Sequence, residues 1–142
     1  MSLPLQPHQP VAAITPLWVK MCGLTTLEGV DAAVAAGVDA VGFVFFPHSK
    51  RYVTPQQAAR LAAGVPRRIL KVAVFLHPSQ AELDAVVAGF RPDIVQTDHE
   101  DFAHLTVPSG MTLLSVLRSG GVLPTLLPPR VLFEGPVSGT GT

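Results

Sequence analysis

The chain has 142 residues, 48% of them apolar and only 14% charged, which suits one domain with a sizeable core and excludes both intrinsic disorder and two complete domains. Ten Lys+Arg balance ten Asp+Glu with no run of like charge, so neither nucleic acid nor an anionic membrane is an expected partner. The single cysteine, Cys22, rules out an internal disulfide, and the N-terminal segment lacks the basic and long apolar regions of a signal peptide, so the cytoplasm is the expected compartment.

Residues 1–16 carry Pro4, Pro7, Pro10 and Pro16 without any period and are expected to be a flexible leader before a folded unit at 17–142. Leu17–Met21 reads as a short strand. Thr25-Thr26-Leu27-Glu28 then has the pattern of a capping box, followed by Leu27, Val30 and Val34 at helical spacing and by Gly37 as a stop. Ala40–Phe46 is a continuous apolar run of the kind buried on both faces in a parallel sheet, and Thr54-Pro55-Gln56-Gln57 opens the next helix with a hydroxyl cap and a proline at its first position. Gly64 and Pro66 end it. Ile69–Leu76 is another buried strand, and Pro78-Ser79-Gln80-Ala81-Glu82 another capping box, with Leu83, Val86, Val87 and Phe90 on one helix face.

Beyond this the pattern weakens. Ile94–Gln96 reads as a short strand, Asp98–Leu105 as at most two helical turns, Met111–Leu117 as a strand, Val122–Leu127 as a helix spoiled by Pro124, and Val131–Glu134 as a sixth strand. The longest apolar stretch, Val30 to Phe46, is broken by Asp31, Gly37 and Asp39 and is no membrane span. Strand and helix alternate at about 25 residues per unit, which defines an α/β chain with parallel strands. Two architectures fit that alternation: an open doubly wound sheet, or part of a (β/α)8 barrel of the TIM type. Both place functional groups at the C-terminal ends of the strands. The candidates there are Lys20, Cys22 and Gly23; His48, Ser49, Lys50 and Arg51; Gln96 and Asp98; Arg118; and Glu134 with Gly135, Gly139 and Gly141.

The segments Val19-Lys20-Met21-Cys22-Gly23-Leu24-Thr25, Val41-Gly42-Phe43-Val44-Phe45, Ser49-Lys50-Arg51-Tyr52-Val53-Thr54-Pro55, Val131-Leu132-Phe133-Glu134 and Ser138-Gly139-Thr140-Gly141 resemble, in order and spacing, the phosphoribosylanthranilate isomerase family of tryptophan biosynthesis. The resemblance runs from about Trp18 to Thr142. It implies a parallel (β/α)8 barrel, of which this chain holds about six units. It also implies an Amadori rearrangement of N-(5-phosphoribosyl)anthranilate that needs no metal and no organic cofactor. By the same resemblance Cys22 is the base and Glu134 the acid, while Arg51, Lys20, Gln96, Gly139 and Gly141 contact a phosphorylated sugar-anthranilate substrate. Arg51 would clamp the anthranilate carboxylate through its planar fork.

Taken one at a time, most of these residues have a plainer reading. A lone cysteine is usually a small buried hydrophobe, a loop arginine a solvated charge, and Lys20 enters the barrel mouth only if the strand register puts it there. His48, His77, His99 and His104 lack metal-ligand spacing, and the helix macrodipole accounts for the cluster Asp98-His99-Glu100-Asp101. The family pattern has aspartate where this chain has Glu134, and Gln-Leu-His-Gly where it has Gln96-Thr97-Asp98-His99. With six units, the first and sixth strands would be apolar open edges, so self-association is expected and the 142-residue chain alone is not expected to turn over. Two other readings share this pattern: a non-catalytic open α/β binding module, in which strand order would reverse near the first strand, and an inactive isomerase remnant.

Overall fold

The computed structural model describes residues 16–138. Six parallel strands lie side by side in chain order: β1 (Lys20–Met21), β2 (Ala40–Val44), β3 (Leu70–Val74), β4 (Ile94–Asp98), β5 (Thr112–Arg118) and β6 (Val131–Glu134). Helices α1 (Leu27–Ala35), α2 (Pro55–Ala62) and α3 (Gln80–Phe90) make the first three crossovers, and a 3-10 turn at His99–Ala103 follows β4. The order never reverses, so the sheet is the curled wall of a β/α barrel and not a doubly wound sheet.

Local chemistry sets the helix starts. Thr54 accepts from the Gln57 N–H and Gln57 returns a bond to the Thr54 N–H; Ser79 and Glu82 repeat the exchange at α3. The first helix departs from the expected box. Its cap is Thr26, one residue later, and the hydroxyl accepts from Gly29, which has no side chain to return the bond. Glu28 is left in the first turn, where the helix dipole favours a carboxylate. Among the described residues, Val122–Leu127 forms no helix. Pro124 on one side and Pro128-Pro129 on the other leave a stretch too short to nucleate one.

Two layers of core form on opposite faces of the sheet. Outward, Val41, Phe43, Ala73, Phe75 and Val95 pack against Val30, Ala33, Ala58, Leu83, Val86 and Phe90 of the helices, with Phe43 edge-on to Phe90 at 5.3 Å between ring centroids. Inward, Ala40, Val72, Ile94 and Leu114 form a second cluster with Trp18, Leu70 and Val74. Register at the N-terminal end of the sheet is pinned by two equivalent aspartates. Asp39 accepts from the Val19 N–H at 2.7 Å and Asp93 from the Lys71 N–H at 2.8 Å, each reaching across to the preceding strand.

No helix among the described residues is long and apolar enough to cross a membrane. The leader up to residue 15, and Gly139 and Gly141, lie outside the described residues.

Candidate active site

Parallel pairing puts residues in register on the same face of the sheet. Lys20 pairs with Ala40, an inward residue, so Lys20 also faces inward. Two residues on, Cys22 follows the end of β1 on that same side. A Cβ placed on Gly42 would meet the Cys22 Sγ at 3.1 Å and Val74 Cγ2 at 3.5 Å, so the glycine makes the space in which the thiol lies. The backbone supports this arrangement, because the N–H groups of Gly23 and Leu24 both donate to the Gly42 carbonyl, at 3.0 and 3.2 Å.

Arg51, in the β2–α2 loop, lies on Gly23. A Cβ there would stand 2.4 Å from Arg51 Cδ and 3.0 Å from Nη1, and the backbone has φ +74°. Glycine is needed at this position on two counts: for the left-handed backbone and for the close approach of the guanidinium stem. Cys22 and Arg51 are thereby brought to the two sides of one glycine.

On the other side of the sheet, Arg118 pairs in register with Glu134, and both close their strands. Arg118 holds Asp98 through two nitrogens, Nη2 at 2.6 Å and Nε at 2.9 Å, and donates from Nη1 to Glu134 Oε2 at 3.2 Å. The bond to Asp98, more than any other influence, pushes the Arg118 pKa above its ordinary value. Asp98 is only 5% exposed and has His77 Nε2 3.6 Å away on its far side. His77 in turn is bonded through Nδ1 to Asp101 at 2.9 Å, and that bond raises its pKa above 6.5 against the opposing effect of burial. Asp101 also accepts from the Thr97 hydroxyl at 2.6 Å. Asp98 and Asp101 are thus engaged with neighbouring strands and loops, while Glu100 and Asp101 also lie in the first turn of the 3-10 helix, as the macrodipole reading expects.

Gln96 lies one inward step before Asp98, 3% exposed, with no hydrogen-bond partner for its Oε1 among the described residues. A buried acceptor in that condition is unusual in a folded protein.

At the N-terminal end of the sheet the Arg130 guanidinium, just before β6, stands over the Trp18 ring, just before β1, at 4.3 Å. Cys22, just past the end of β1, and Glu134, the last residue of β6, lie at the C-terminal ends of their strands with inward register, Arg51 near the turn that follows the thiol and Arg118 beside the carboxyl. Among the described residues no group of three or more His, Cys, Asp or Glu is arranged to hold a metal ion.

Arg118 and Asp98 are legible as rim candidates from their strand-end positions, but their pairing is not. His77, considered in the sequence only as a metal ligand, is a further rim residue. It occupies the equivalent place after β3, at φ +48°, and the same strand-end rule finds it.

Such a sheet, with strands in sequential order and ionisable groups on its C-terminal rim, defines a protein of the (β/α)-barrel class. The family model described as N-(5'phosphoribosyl)anthranilate (PRA) isomerase matches residues 19–106, and the chain belongs to that family. Cys22, Arg51 and Gln96 lie inside the matched stretch and Glu134 beyond it. The chain is 48% identical over 105 residues to the N-(5'-phosphoribosyl)anthranilate isomerase of Paracoccus denitrificans, covering 73% of this chain and 49% of that protein. It is 40% identical over 125 residues to a Streptococcus pneumoniae protein of the same name, covering 87% and 62%. The chain thus spans about half to three-fifths of the length of these curated relatives. A crystal structure of phosphoribosyl anthranilate isomerase in complex with reduced 1-(o-carboxyphenylamino)-1-deoxyribulose 5-phosphate superposes with a TM-score of 0.63 at 28% identity, covering 74% of this chain and 55% of that one. The Thermus thermophilus enzyme shares the fold, with a TM-score of 0.73 at 22% identity over 87% of this chain and 65% of its own.

Proposed function

We propose that the protein catalyses the Amadori rearrangement of N-(5-phosphoribosyl)anthranilate to 1-(2-carboxyphenylamino)-1-deoxyribulose 5-phosphate, a step of tryptophan biosynthesis, with no cofactor. The observation that supports this reading is that Cys22 and Glu134 both fall at C-terminal strand ends with inward register on one parallel sheet.

Glu134 acts as general acid and donates a proton to the ribose ring oxygen. The anthranilate nitrogen lone pair moves in to form a C=N bond as the C–O bond to the ring oxygen breaks. Cys22, as thiolate, then takes the proton from the adjacent sugar carbon. The resulting enolamine tautomerises to the ketose, so every bond broken is balanced by one formed within the substrate. Arg51 binds the anthranilate carboxylate in a fork-to-carboxylate pair. Lys20 and Gln96, facing the same interior, contact the sugar, and Gln96 Oε1 accepts from a sugar hydroxyl. Gly139 and Gly141, outside the described residues, are assigned to substrate binding with them. A base that must remain a free thiol belongs in a reducing compartment, which makes the cytoplasm the site of action.

The residues are tested in a chain extended to the full length of the curated relatives, given freshly prepared phosphoribosylanthranilate and assayed by loss of substrate fluorescence. Cys22→Ser and Glu134→Gln should each lower kcat by at least about 100-fold with little change in KM, because each group acts mainly in the transition state. Turnover that survives in either variant removes that residue from the mechanism.

A further inference from the structure

We propose that Arg118, seated on Asp98, is a positioning residue for Glu134: it fixes which carboxylate oxygen faces the substrate. The inference rests on the isomerase reading and adds two residues that this reading does not use.

A guanidinium is planar and rigid, with donors on fixed edges. Two of its nitrogens, Nε and Nη2, are committed to Asp98, which is almost fully buried and comes from β4. With that edge pinned, the remaining nitrogen has no rotational freedom, and Nη1 points at Glu134 Oε2. The Glu134 side chain has three rotatable bonds, one more than aspartate, and a carboxyl left to itself would sample several orientations. The Arg118 bond engages Oε2, and Oε1 is the oxygen the guanidinium leaves to the substrate in this proposal. Backbone pairing supports the arrangement, since β4, β5 and β6 are neighbours in the sheet and Arg118 is in register with Glu134. His77 completes the chain of contacts on the solvent side by standing against Asp98.

A lysine at 118 keeps the positive charge and loses the fork, so it separates positioning from charge. In Arg118→Lys, kcat should fall about 10- to 100-fold, the cost of misplacing a reacting group by about 1 Å, while KM and the affinity for the reduced product analogue stay within about threefold. Arg118→Ala should recover at least tenfold in kcat on addition of guanidinium ion, and Asp98→Asn should lower kcat in the same way as Arg118→Lys, with a non-additive double variant. Circular dichroism confirms that each variant is folded. Unchanged kcat in a folded Arg118→Lys, or loss confined to KM, overturns the proposal and leaves the isomerase reading intact. An unsubstituted chain of the relatives' full length that shows neither turnover nor analogue binding overturns the isomerase reading and this proposal with it, and the two patterns are distinct.

Discussion

Gly23→Ala tests the link between backbone shape and substrate clamp. The added Cβ would lie 2.4 Å from Arg51 Cδ, whereas carbon atoms in ordinary contact stand about 3.5–4.0 Å apart, so the Arg51 stem must retreat by roughly 1–1.5 Å. The backbone adds a second cost, since φ +74° is left-handed and disfavours a side chain by about 1–2 kcal/mol. Gly37 separates the two effects. It has the same φ of +74° and lies after α1, away from the rim, where an added Cβ would meet nothing within 4 Å. Both alanine variants should therefore lose about 1–2 kcal/mol of stability and melt a few degrees lower. Only Gly23→Ala should also raise KM, by about 10- to 100-fold, with kcat much less affected, because the clamp holds substrate and transition state alike. Steady-state kinetics and titration with the reduced product analogue read the difference. Equal KM in the two variants would refute the placement of Arg51 as the carboxylate clamp.

Three further outcomes are expected. The His77 pKa is raised in the fold, chiefly by its bond to Asp101, so its stabilising contribution is complete below pH 6.5 and lost as pH rises through the folded value; the melting-temperature gap between the protein and His77→Gln should shrink from acid to alkaline pH and with added salt, and a gap that widens refutes the pairing. Ser79→Ala removes the acceptor for the Glu82 N–H and half of a reciprocal cap, and should cost about 1 kcal/mol in a denaturant titration; an unmoved midpoint refutes the cap's role. A polypeptide of these 142 residues made by itself presents β1 and β6 as edges of the described sheet, with Phe133 65% exposed, and should associate in light scattering, less so as Phe133→Lys; a monomer at high concentration refutes it.

Elements whose start is a side-chain device are readable in the sequence. Thr54-Pro55 and Ser79-Gln80-Ala81-Glu82 each combine a cap and an N-terminal signal within four residues, and both helices begin where that chemistry requires. The adjacent threonines before α1 offer two equivalent caps, and the chain uses the second, Thr26, whose hydroxyl accepts from the Gly29 N–H. Strand order is not readable, since sequential and reversed orders use the same alternation of apolar runs. Cys22, Arg51 and Glu134 are legible through a family's motif spacing. The contacts of Asp98, Arg118 and His77 are not, because they depend on three strands being neighbours in space while their residues lie 20 or more apart in the chain.

The cost of the Asp98–Arg118–Glu134 chain argues for its purpose. Half-buried ion pairs contribute little net stability, because withdrawing each charge from water offsets most of the attraction, and apolar residues of similar volume often do as well. This protein has such residues at hand: Leu114 and Val116 fill the same inner face of β5 just before Arg118, and Ile94 precedes Gln96 and Asp98 on β4. With so few charges in the whole chain, the inner face of β4 and β5 becomes ionic only at its last step, at the rim where β/α barrels work. Core formation does not require that change. A carboxyl held in one orientation toward the interior does, because proton transfer to a bound sugar depends on placement within a fraction of an ångström.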